Sequence, residues 1–355
     1  MILFYLSSNK ICTYYYWWLN LKIPHFTRIY YEKNAKDTPL CKFLFNKYIA
    51  IPKIEIDSHN NIEELRKYEN KDFKKLKSYL IIGIRKTNKY VENHKISDYL
   101  VPFTSSGCYA MCMYCYLVCN YNKCSYLRVF ANTEEILNKL IKTSNSSEKE
   151  LTFEIGSNSD LLLENIVTEN LASNLNKFLS STSKGTLTFP TKFDYIEPLL
   201  NLDHNGRILP RMSLNPQRII TKVEFGTSNL NDRLEAINKL AEHGYPVHIL
   251  IAPIIITDNF KKDYSDLIQE IENKLSEKSK EHIVFEIIFM TYSYIHRKIN
   301  EDAFPKAINL YSQETMTSRG IGKYHYKDKI KVEAREYLEA LIKSTFKNYE
   351  IKYIV

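Results

Sequence analysis

The sequence predicts an α/β protein built on a partial, TIM-like (β/α)6 barrel of parallel strands, and three observations lead to this fold class. From Tyr99 onward, short apolar and β-branched runs alternate with amphipathic helical patterns. No internal repeat is visible, and only nine glycines and eleven prolines interrupt the 355 residues. A hydrophobic share of 44% and a charged share of 25% are ordinary for a globular chain with a large core. Alternating strands and helices favour a parallel sheet whose βα loops carry the functional site.

Six segments are predicted to form the barrel strands: YLVPF (99–103), LTFEIGS (151–157), GTLTFPT (185–191), ILPRMSL (208–214), PVHILIAPIII (246–256) and HIVFEIIFM (282–290). Four helical patterns lie between them: NTEEILNKLIK (132–142), LLLENIVTENLASNLNKFL (161–179), NLNDRLEAINKLAEHG (229–244) and FKKDYSDLIQEIENKL (260–275). In the third helix, Leu230, Leu234, Ile237 and Leu240 fall on one face, and Gly244 supplies the stop.

The chain is expected to divide into an N-terminal α/β region (24–98), the partial barrel (99–295) and a C-terminal region with helical and hairpin elements (296–355). Residues 1–23 form an extension that is uninformative about function. This extension lacks the basic start and cleavage site of a signal peptide, and Ser, Asn and Lys interrupt it too often for a membrane span. We therefore expect a cytoplasmic protein with no membrane contact.

The overall charge and the cysteine count suggest the setting of the protein. A formal charge of +8 suits a polyanionic partner such as a nucleic acid, although a solvated lysine-rich surface gives the same number. The seven cysteines are odd in number, and Cys12 and Cys41 stand apart from the others. This distribution is unlike a secreted disulfide framework, so we expect a reduced, intracellular protein with a metal or catalytic thiol cluster.

Five cysteines crowd into the stretch GCYAMCMYCYLVCNYNKC (107–124), directly after the first barrel strand. Cys108, Cys112 and Cys115 have the spacing C-x3-C-x2-C. Three thiolates in one loop can hold an iron–sulfur cluster and leave its fourth iron open. A structural zinc site is the alternative, with Cys119 or Cys124 as the fourth ligand. Inert core cysteines explain the pattern less well, because neighbouring loop thiols oxidise readily.

The spacing, with an aromatic residue before the last cysteine, resembles the radical S-adenosylmethionine motif. The longer stretch SSGCYAMCMYCYL, followed by YLRVFANTEEIL, is similar to the spore photoproduct lyase family. Seven further segments support this resemblance over about residues 24–355: SHN (58–60), IIGIRK (81–86), FEIGSNSD (153–160), TKFD (191–194), HNGRILPRMSLNP (204–216), GYPVHILIAPI (244–254) and RGIGKYHY (319–326). It implies a barrel of the radical S-adenosylmethionine type. It also implies a 4Fe-4S cluster whose open iron chelates S-adenosylmethionine, which is cleaved to a 5′-deoxyadenosyl radical.

The resemblance also implies which residues contact the cofactor. Lys192 and Ser213 match positions that hold the carboxylate end of S-adenosylmethionine, and an ammonium and a hydroxyl suit that anion. Ser159, Asp160 and Ala252 match further positions of the cofactor pocket. Without the family, Lys192 is an ordinary strand-end lysine and Asp160 is an N-cap for the helix that begins LLLEN.

Tyr114 and Tyr116 match the tyrosines that border the last cluster cysteine and relay the radical; the alternative is that both are core aromatics. Ser157 departs from the family pattern, in which a cysteine at this position returns a hydrogen atom to the thymine radical. A serine O–H bond is too strong for that role. Either Cys119 or Cys124 replaces the cysteine, or a tyrosine delivers the atom, or the substrate differs.

The segment RGIGKYHY (319–326) is predicted to form a hairpin or loop, with basic and aromatic residues alternating around two glycines. It resembles the hairpin of the family that lies on the lesion side. Arg319, Lys323 and Tyr324 would then meet DNA, because cations suit phosphates and rings stack on bases. On composition alone, an exposed turn with solvated charges explains the segment equally well.

The resemblance implies a lyase that repairs 5-thyminyl-5,6-dihydrothymine in DNA to two thymines. The adenosyl radical would abstract hydrogen from C6 of the lesion, and a flavodoxin- or ferredoxin-type reductant would feed the cluster of a monomeric enzyme. One alternative is a family member with a different radical substrate, which Ser157 motivates. A second is a non-catalytic, zinc-stabilised DNA-binding protein that uses Cys108, Cys112, Cys115 and Cys119.

Overall fold

The computed structural model describes residues 24–120 and 126–355, and the side chains of residues 119 and 120 are not described. Predictions about residues 1–23 and Cys124 thus lie outside the described residues. The strands are β1 (Arg28–Glu32), β2 (Lys53–Ile56), β3 (Tyr79–Gly83), β4 (Val91–Glu92), β5 (Tyr99–Leu100), β6 (Ser105–Ser106), β7 (Met111–Cys112), β8 (Arg128–Phe130), β9 (Thr152–Glu154), β10 (Thr186–Thr191), β11 (Ile208–Leu214), β12 (Glu224–Phe225), β13 (Val247–Ile254), β14 (Ile283–Phe289), β15 (Thr291–Ser293), β16 (Met316–Ser318), β17 (Lys323–Tyr326) and β18 (Tyr349–Ile354).

The α-helices are α1 (Pro39–Lys47), α2 (Glu63–Arg66), α3 (Phe73–Lys77), α4 (Leu117–Asn120), α5 (Thr133–Ser146), α6 (Leu161–Thr168), α7 (Leu171–Ser181), α8 (Gln217–Val223), α9 (Leu230–Glu242), α10 (Phe260–Lys274), α11 (Glu277–Lys280), α12 (Tyr294–Ala303) and α13 (Asp328–Thr345). Short 3-10 turns lie at Lys33–Ala35, Asn70–Asp72 and Glu197–Leu199. Nowhere in the part of the chain that the structure describes is a helix long and apolar enough to span a membrane.

The larger sheet confirms the predicted half-barrel. Its order is β18-β14-β13-β11-β10-β9-β5-β4, so the six predicted strands are neighbours in chain order. All six pair in parallel, while β18 adds a parallel strand at one edge and β4 an antiparallel strand at the other. Phe153, Phe189 and Phe285 from three of these strands are fully buried, as expected for a sheet covered on both faces. Parallel pairing brings the carboxyl ends of the strands to one edge, where a site is expected.

The helices agree with the prediction except at one point. The pattern 161–179 predicts one helix, but the structure divides it into α6 and α7, and that prediction is wrong. Glu169 lies between them with a left-handed φ of 52°. Side chains cap the break, because Asn165 Oδ1 accepts from the backbone N–H of Leu171 at 2.9 Å and Thr168 donates to Asn170 at 2.9 Å. Such local bonds compete with helical backbone bonds.

A second, smaller sheet has the order β2-β1-β3-β8-β6. Strands β2, β1, β3 and β8 run parallel, and β6 pairs with β8 in the antiparallel sense. Both β6 and β8 follow residue 98, so this sheet combines the N-terminal region with segments next to the cysteine loop. The division into 24–98, 99–295 and 296–355 stays a prediction.

The C-terminal region contains the predicted hairpin. Strands β16 and β17 are antiparallel, with Ser318 opposite Tyr324, and β15 pairs with the other edge of β17. The turn includes Gly320 and Gly322, whose φ values of 110° and 65° favour glycine. The buried Tyr326 anchors the hairpin, because its hydroxyl oxygen accepts from the backbone N–H of Ile256 at 2.9 Å.

Candidate active site

A cavity of about 320 Å³ lies at the carboxyl ends of the larger sheet. Its walls come from the cysteine loop, from the loops that follow β9 and β10, and from the carboxyl-terminal parts of β10, β11, β13 and β14. These segments bring together residues that are far apart in the sequence: Cys108, Cys112, Tyr114, Cys115, Tyr116, Ser157, Ser159, Asp160, Lys192, Ser213 and Ala252. The predicted cluster ligands and cofactor contacts therefore share one cavity.

Hydrogen bonds with neighbouring elements hold the cysteine loop in place. Gly107 has a φ of 78°, and its N–H donates to the carbonyl of Asn158 at 2.8 Å. Further along, strand β7 pairs with β12, which places Cys112 opposite Glu224. Lys77 of α3 donates to the Cys108 carbonyl at 2.6 Å. The three cysteines thus lie on a loop that neighbouring elements fix at several points.

Helix α12 supports the same loop through two residues that the sequence did not predict. His296 Nε2 donates to the carbonyl of Cys115 at 3.1 Å, and Asn300 Nδ2 donates to the carbonyl of Met113 at 2.8 Å. Burial lowers the pKa of His296, which favours the neutral ring for this role. The sequence signal was weak, because both residues lie in a polar helical stretch far from the cysteines.

The chemistry of the three cysteine side chains fits an iron–sulfur cluster. Within the described residues, no three His, Cys, Asp or Glu side chains converge to hold one metal ion. Thiolates around a cubane cluster bind separate irons, so they need not converge on one point. Burial raises the pKa of Cys108 to about 12 and that of Cys112 well above its ordinary value, so these thiols need a cation to ionise. Soft thiolate donors on one loop are the set that iron–sulfur clusters take.

Lys192, Ser213 and Ala252 meet on neighbouring strand ends, as predicted. Lys192 Nζ donates to the Ala252 carbonyl at 2.9 Å and to the Ser213 hydroxyl, which in turn donates to the same carbonyl at 3.0 Å. The Lys192 side chain is 19% exposed and lines the cavity. These contacts fit the binding of a carboxylate, because a cation and a hydroxyl converge at the cavity wall.

Asp160 acts as the N-cap of α6, where it accepts from the backbone N–H of Leu163 at 3.3 Å. It also accepts from the Thr191 hydroxyl at 2.9 Å and from the Lys192 backbone at 2.9 Å. Burial raises its pKa, while these donors stabilise the charged form. Asp160 therefore fixes the loop that presents the adjacent cavity residues.

The loop before Asp160 contains two features that fit a bound ligand. The Ser159 Oγ atom is buried in the cavity wall and has no hydrogen-bond partner among the described residues. A buried hydroxyl without a partner is costly, so a polar ligand atom is expected opposite it. Gly156 also lines the cavity, and a Cβ there would lie 2.6 Å from Phe189 Cβ, so only glycine fits this close approach.

Glu224 is the main site residue that the sequence did not reveal. Its buried carboxylate forms a 2.7 Å ion pair with Arg233, lies 3.6 Å from Lys192 Nζ and accepts from Asn215 Nδ2 at 2.8 Å. Burial opposes its charge, but Lys192 and Arg233 outweigh burial and bring the pKa of Glu224 to about 2. The Tyr114 hydroxyl donates to the same carboxylate, and burial, with Glu224, raises the pKa of Tyr114 well above its ordinary value.

Tyr116 differs from Tyr114 in its surroundings. Its side chain is 51% exposed, and its hydroxyl donates to the backbone carbonyl of Ser157. The structure therefore places Tyr116 beside Ser157. Cys119 belongs to α4, but its side chain is not described, and Cys124 lies outside the described residues.

The hairpin residues lie outside the cavity lining. Arg319 and Lys323 are exposed, and Tyr324 is half-buried with its ring 4.6 Å from that of Tyr311. Strand β15 links the hairpin to the cavity, because Thr291 lines the cavity and pairs with His325 of β17. A ligand that extends from the cavity would thus meet the hairpin sheet.

A half-barrel with a C-x3-C-x2-C loop at the carboxyl edge of its sheet defines the class of radical S-adenosylmethionine enzymes. The model of the family "Spore photoproduct lyase" matches residues 24–355, and the chain belongs to this family. Spore photoproduct lyase of Bacillus subtilis (strain 168) is 32% identical over 92% of this chain and 97% of its own length. The Geobacillus sp. (strain Y412MC61) protein of the same name is 30% identical, again over 92% and 97%.

Solved structures of spore photoproduct lyase agree with the fold. One, complexed with dinucleoside spore photoproduct, has a TM-score of 0.86 and 28% identity, over 94% of this chain and all of that chain. A mutant form with bound AdoMet, which is S-adenosylmethionine, and dinucleoside spore photoproduct has a TM-score of 0.85, also at 28% identity over 94% and 100%. The chain is therefore a radical S-adenosylmethionine lyase with a 4Fe-4S cluster and S-adenosylmethionine as cofactors. The non-catalytic zinc alternative is wrong.

Proposed function

We propose that this enzyme repairs spore photoproduct, 5-thyminyl-5,6-dihydrothymine, in DNA and restores two thymines. The observation that carries the proposal is the single cavity that joins the three cysteines to Lys192 and Ser213, in a chain of this family. Relatives of this chain are spore photoproduct lyases, and one solved relative holds the dinucleoside lesion.

Different residues of the cavity would bind the two cofactors. Cys108, Cys112 and Cys115 would hold the cluster, and Lys192 with Ser213 would hold the carboxylate of S-adenosylmethionine. When bound, the two cofactors would supply a 5′-deoxyadenosyl radical for hydrogen abstraction from the lesion. Buried apolar side chains form another part of the wall, namely Leu250, Phe289 and Met290. They exclude water from the reacting atoms, which limits side reactions.

Tyr116 is the residue that the geometry favours for returning the hydrogen atom. Its hydroxyl lies beside Ser157, and the exposed Tyr116 lines the cavity. Tyr114 is less suited, because it is less exposed than Tyr116 and its hydroxyl donates to a buried, charged carboxylate, that of Glu224. Cys119 and Cys124 are the competing candidates, and substitution distinguishes them from Tyr116.

The same reaction implies two partners, damaged DNA and a protein reductant. Exposed Arg319 and Lys323 would contact phosphates of the damaged strand, with Tyr324 beside them, while the lesion leaves the base stack to reach the cavity. A flavodoxin- or ferredoxin-type protein would reduce the cluster, and the enzyme would act as a monomer.

Ser157 supports one competing function, a radical reaction on a different substrate. Anaerobic turnover with dithionite decides between them, using oligonucleotides that contain either spore photoproduct or a cyclobutane thymine dimer. We expect loss of spore photoproduct with formation of thymine, and no change in the cyclobutane dimer. If neither lesion is consumed while S-adenosylmethionine is still cleaved, the different-substrate alternative is favoured.

A further inference from the structure

A second cavity, of about 280 Å³, lies at the carboxyl ends of the smaller sheet and shares no lining residue with the active site. In the order β2-β1-β3-β8, the chain leaves β1 toward β2 on one side, and it leaves β3 toward β8 on the other. The loops after β1 and β3 therefore diverge and open a crevice between them. In parallel α/β sheets, ligands bind at such a switch point.

Glu32, the last residue of β1, organises this cavity. Its carboxylate accepts from the backbone N–H of His59 at 2.8 Å, from His59 Nδ1 at 2.9 Å and from the backbone N–H of Ile84 at 2.7 Å. The His59 ring sits against Gly83, where a Cβ would lie only 2.4 Å from Nδ1. The one carboxylate of the cavity is therefore engaged by its own loops, and it fixes the loops after β2 and β3 in place.

Three cationic side chains line the same cavity: Arg85, Lys86 and Arg128. Arg85 is held with its guanidinium 4.9 Å from the centre of the Phe130 ring, and its Nε donates to the Thr87 carbonyl at 3.0 Å. Arg128 is only 6% exposed and donates to Ser106 Oγ at 3.1 Å and to Asn60 Oδ1 at 3.2 Å. Three cations against one carboxylate make the cavity positive, and contacts within the protein hold both guanidinium groups in place.

We infer that this cavity is a phosphate-binding site that is separate from the radical site. The guanidinium group suits the oxygens of a phosphate, and Lys86 adds an exposed ammonium to the lining. Serine and threonine hydroxyls of the lining, Ser58 and Thr87, supply further donors. Two sources have this chemistry: a free nucleotide, or a backbone phosphate of the DNA that the enzyme repairs.

Titration calorimetry on the full-length protein tests the inference, with inorganic phosphate as the first probe. Arg85→Gln is expected to weaken phosphate binding about tenfold, because it removes a charged hydrogen-bond donor. Lys86→Gln, at an exposed position, is expected to weaken it about threefold. Lys89→Gln is the matched control, because Lys89 is an exposed lysine of the same loop that does not line the cavity. Cleavage of S-adenosylmethionine in the absence of DNA should be the same in all three variants.

Two further probes identify the source of the phosphate. A mononucleotide that binds at least tenfold more tightly than inorganic phosphate, with the same dependence on Arg85, assigns the site to a free nucleotide. Undamaged duplex DNA that displaces inorganic phosphate, and that binds more weakly to Arg85→Gln, assigns the site to the DNA backbone. The inference is overturned if wild-type protein binds no phosphate, or if Arg85→Gln and Lys86→Gln bind every probe as Lys89→Gln does.

Discussion

At the residue scale, two buried carboxylates hold the active site in shape. Asp160 ties α6 to the end of β10, and Glu224 gathers Lys192, Arg233 and Tyr114 around one charge. Each carboxylate has several donors, which is the condition under which a buried charge is tolerated. Asp160 could be predicted from its place before a helix, but Glu224 could not, because its partners come from other segments of the chain.

The cluster ligands give the first prediction. Cys108→Ala, Cys112→Ala and Cys115→Ala should each abolish bound iron and the formation of 5′-deoxyadenosine together, because each thiolate holds a separate iron. Iron analysis and anaerobic cofactor cleavage measure the two losses. Cys41→Ala is the control, since Cys41 is buried in α1 and should leave both values unchanged. Normal iron content in any of the three cluster variants would contradict the ligand assignment.

Tyr116→Phe tests the hydrogen-return step. We expect cofactor cleavage to persist while the yield of intact thymine falls at least tenfold, with the radical diverted to adducts such as sulfinates in dithionite, because the phenolic O–H is lost. Tyr114→Phe is the comparison, since it removes the bond to Glu224 and should change the product distribution less. If Tyr116→Phe still gives clean thymine and the Cys119→Ala, Cys124→Ala double variant does not, a thiol is the donor.

Glu164 gives a prediction for the pH dependence of stability. Burial raises the pKa of its carboxyl from 4.5 to about 7, although hydrogen bonds from Ser105 and Thr104 oppose the rise. Because the folded pKa is above the unfolded one, the protein loses stability as the pH rises from about 4.5 to 7. Glu164→Gln should therefore raise the free energy of unfolding by about 3 kcal/mol at pH 8 and leave it nearly unchanged below pH 4.5.

Urea unfolding at pH 4.5 and pH 8 measures this difference. Glu148→Gln, at an exposed position, should show no comparable dependence on pH. An equal effect of Glu164→Gln at both pH values would mean that the side chain acts through packing and not through its charge.

At the scale of elements, the sequence predicted the six barrel strands because each is a short run rich in apolar and β-branched residues and bounded by polar residues. The same patterns did not reveal the break at Glu169, where amide side chains replace backbone bonds. Strand β8 was also missed. Strand β8 pairs with β3, which lies far from it in the sequence, and the spacing of apolar residues within one segment does not show such a pairing.

The hairpin gives the prediction for this scale. Arg319→Ala and Lys323→Ala should each weaken binding of lesion-bearing DNA and reduce the slope of log K against log salt by about 0.9, since each loses one phosphate contact. Fluorescence anisotropy over a range of salt concentrations measures both. Lys329→Ala, at an exposed position on α13, is the control. An unchanged salt slope in both hairpin variants would show that the hairpin is only a surface turn.

At the scale of the whole molecule, two parallel sheets each place a cavity at their carboxyl edge. Buried charges also connect the larger sheet internally, because Arg211 of β11 forms 2.7 Å ion pairs with Glu154 of β9 and Glu286 of β14. The sequence predicted the larger sheet and its cysteine loop from local patterns and the family motif. It could not predict the smaller sheet's cavity or the Arg211 ion pairs, since both depend on residues that only the fold brings together.

In the proposed reaction, the enzyme abstracts the hydrogen atom at C6 of spore photoproduct. Anaerobic turnover of an oligonucleotide with deuterium at that carbon tests this most directly, with S-adenosylmethionine and dithionite present and mass spectrometry of both products. We predict two restored thymines and deuterium in the 5′-deoxyadenosine. Formation of 5′-deoxyadenosine without deuterium, while the lesion remains intact, would contradict the account.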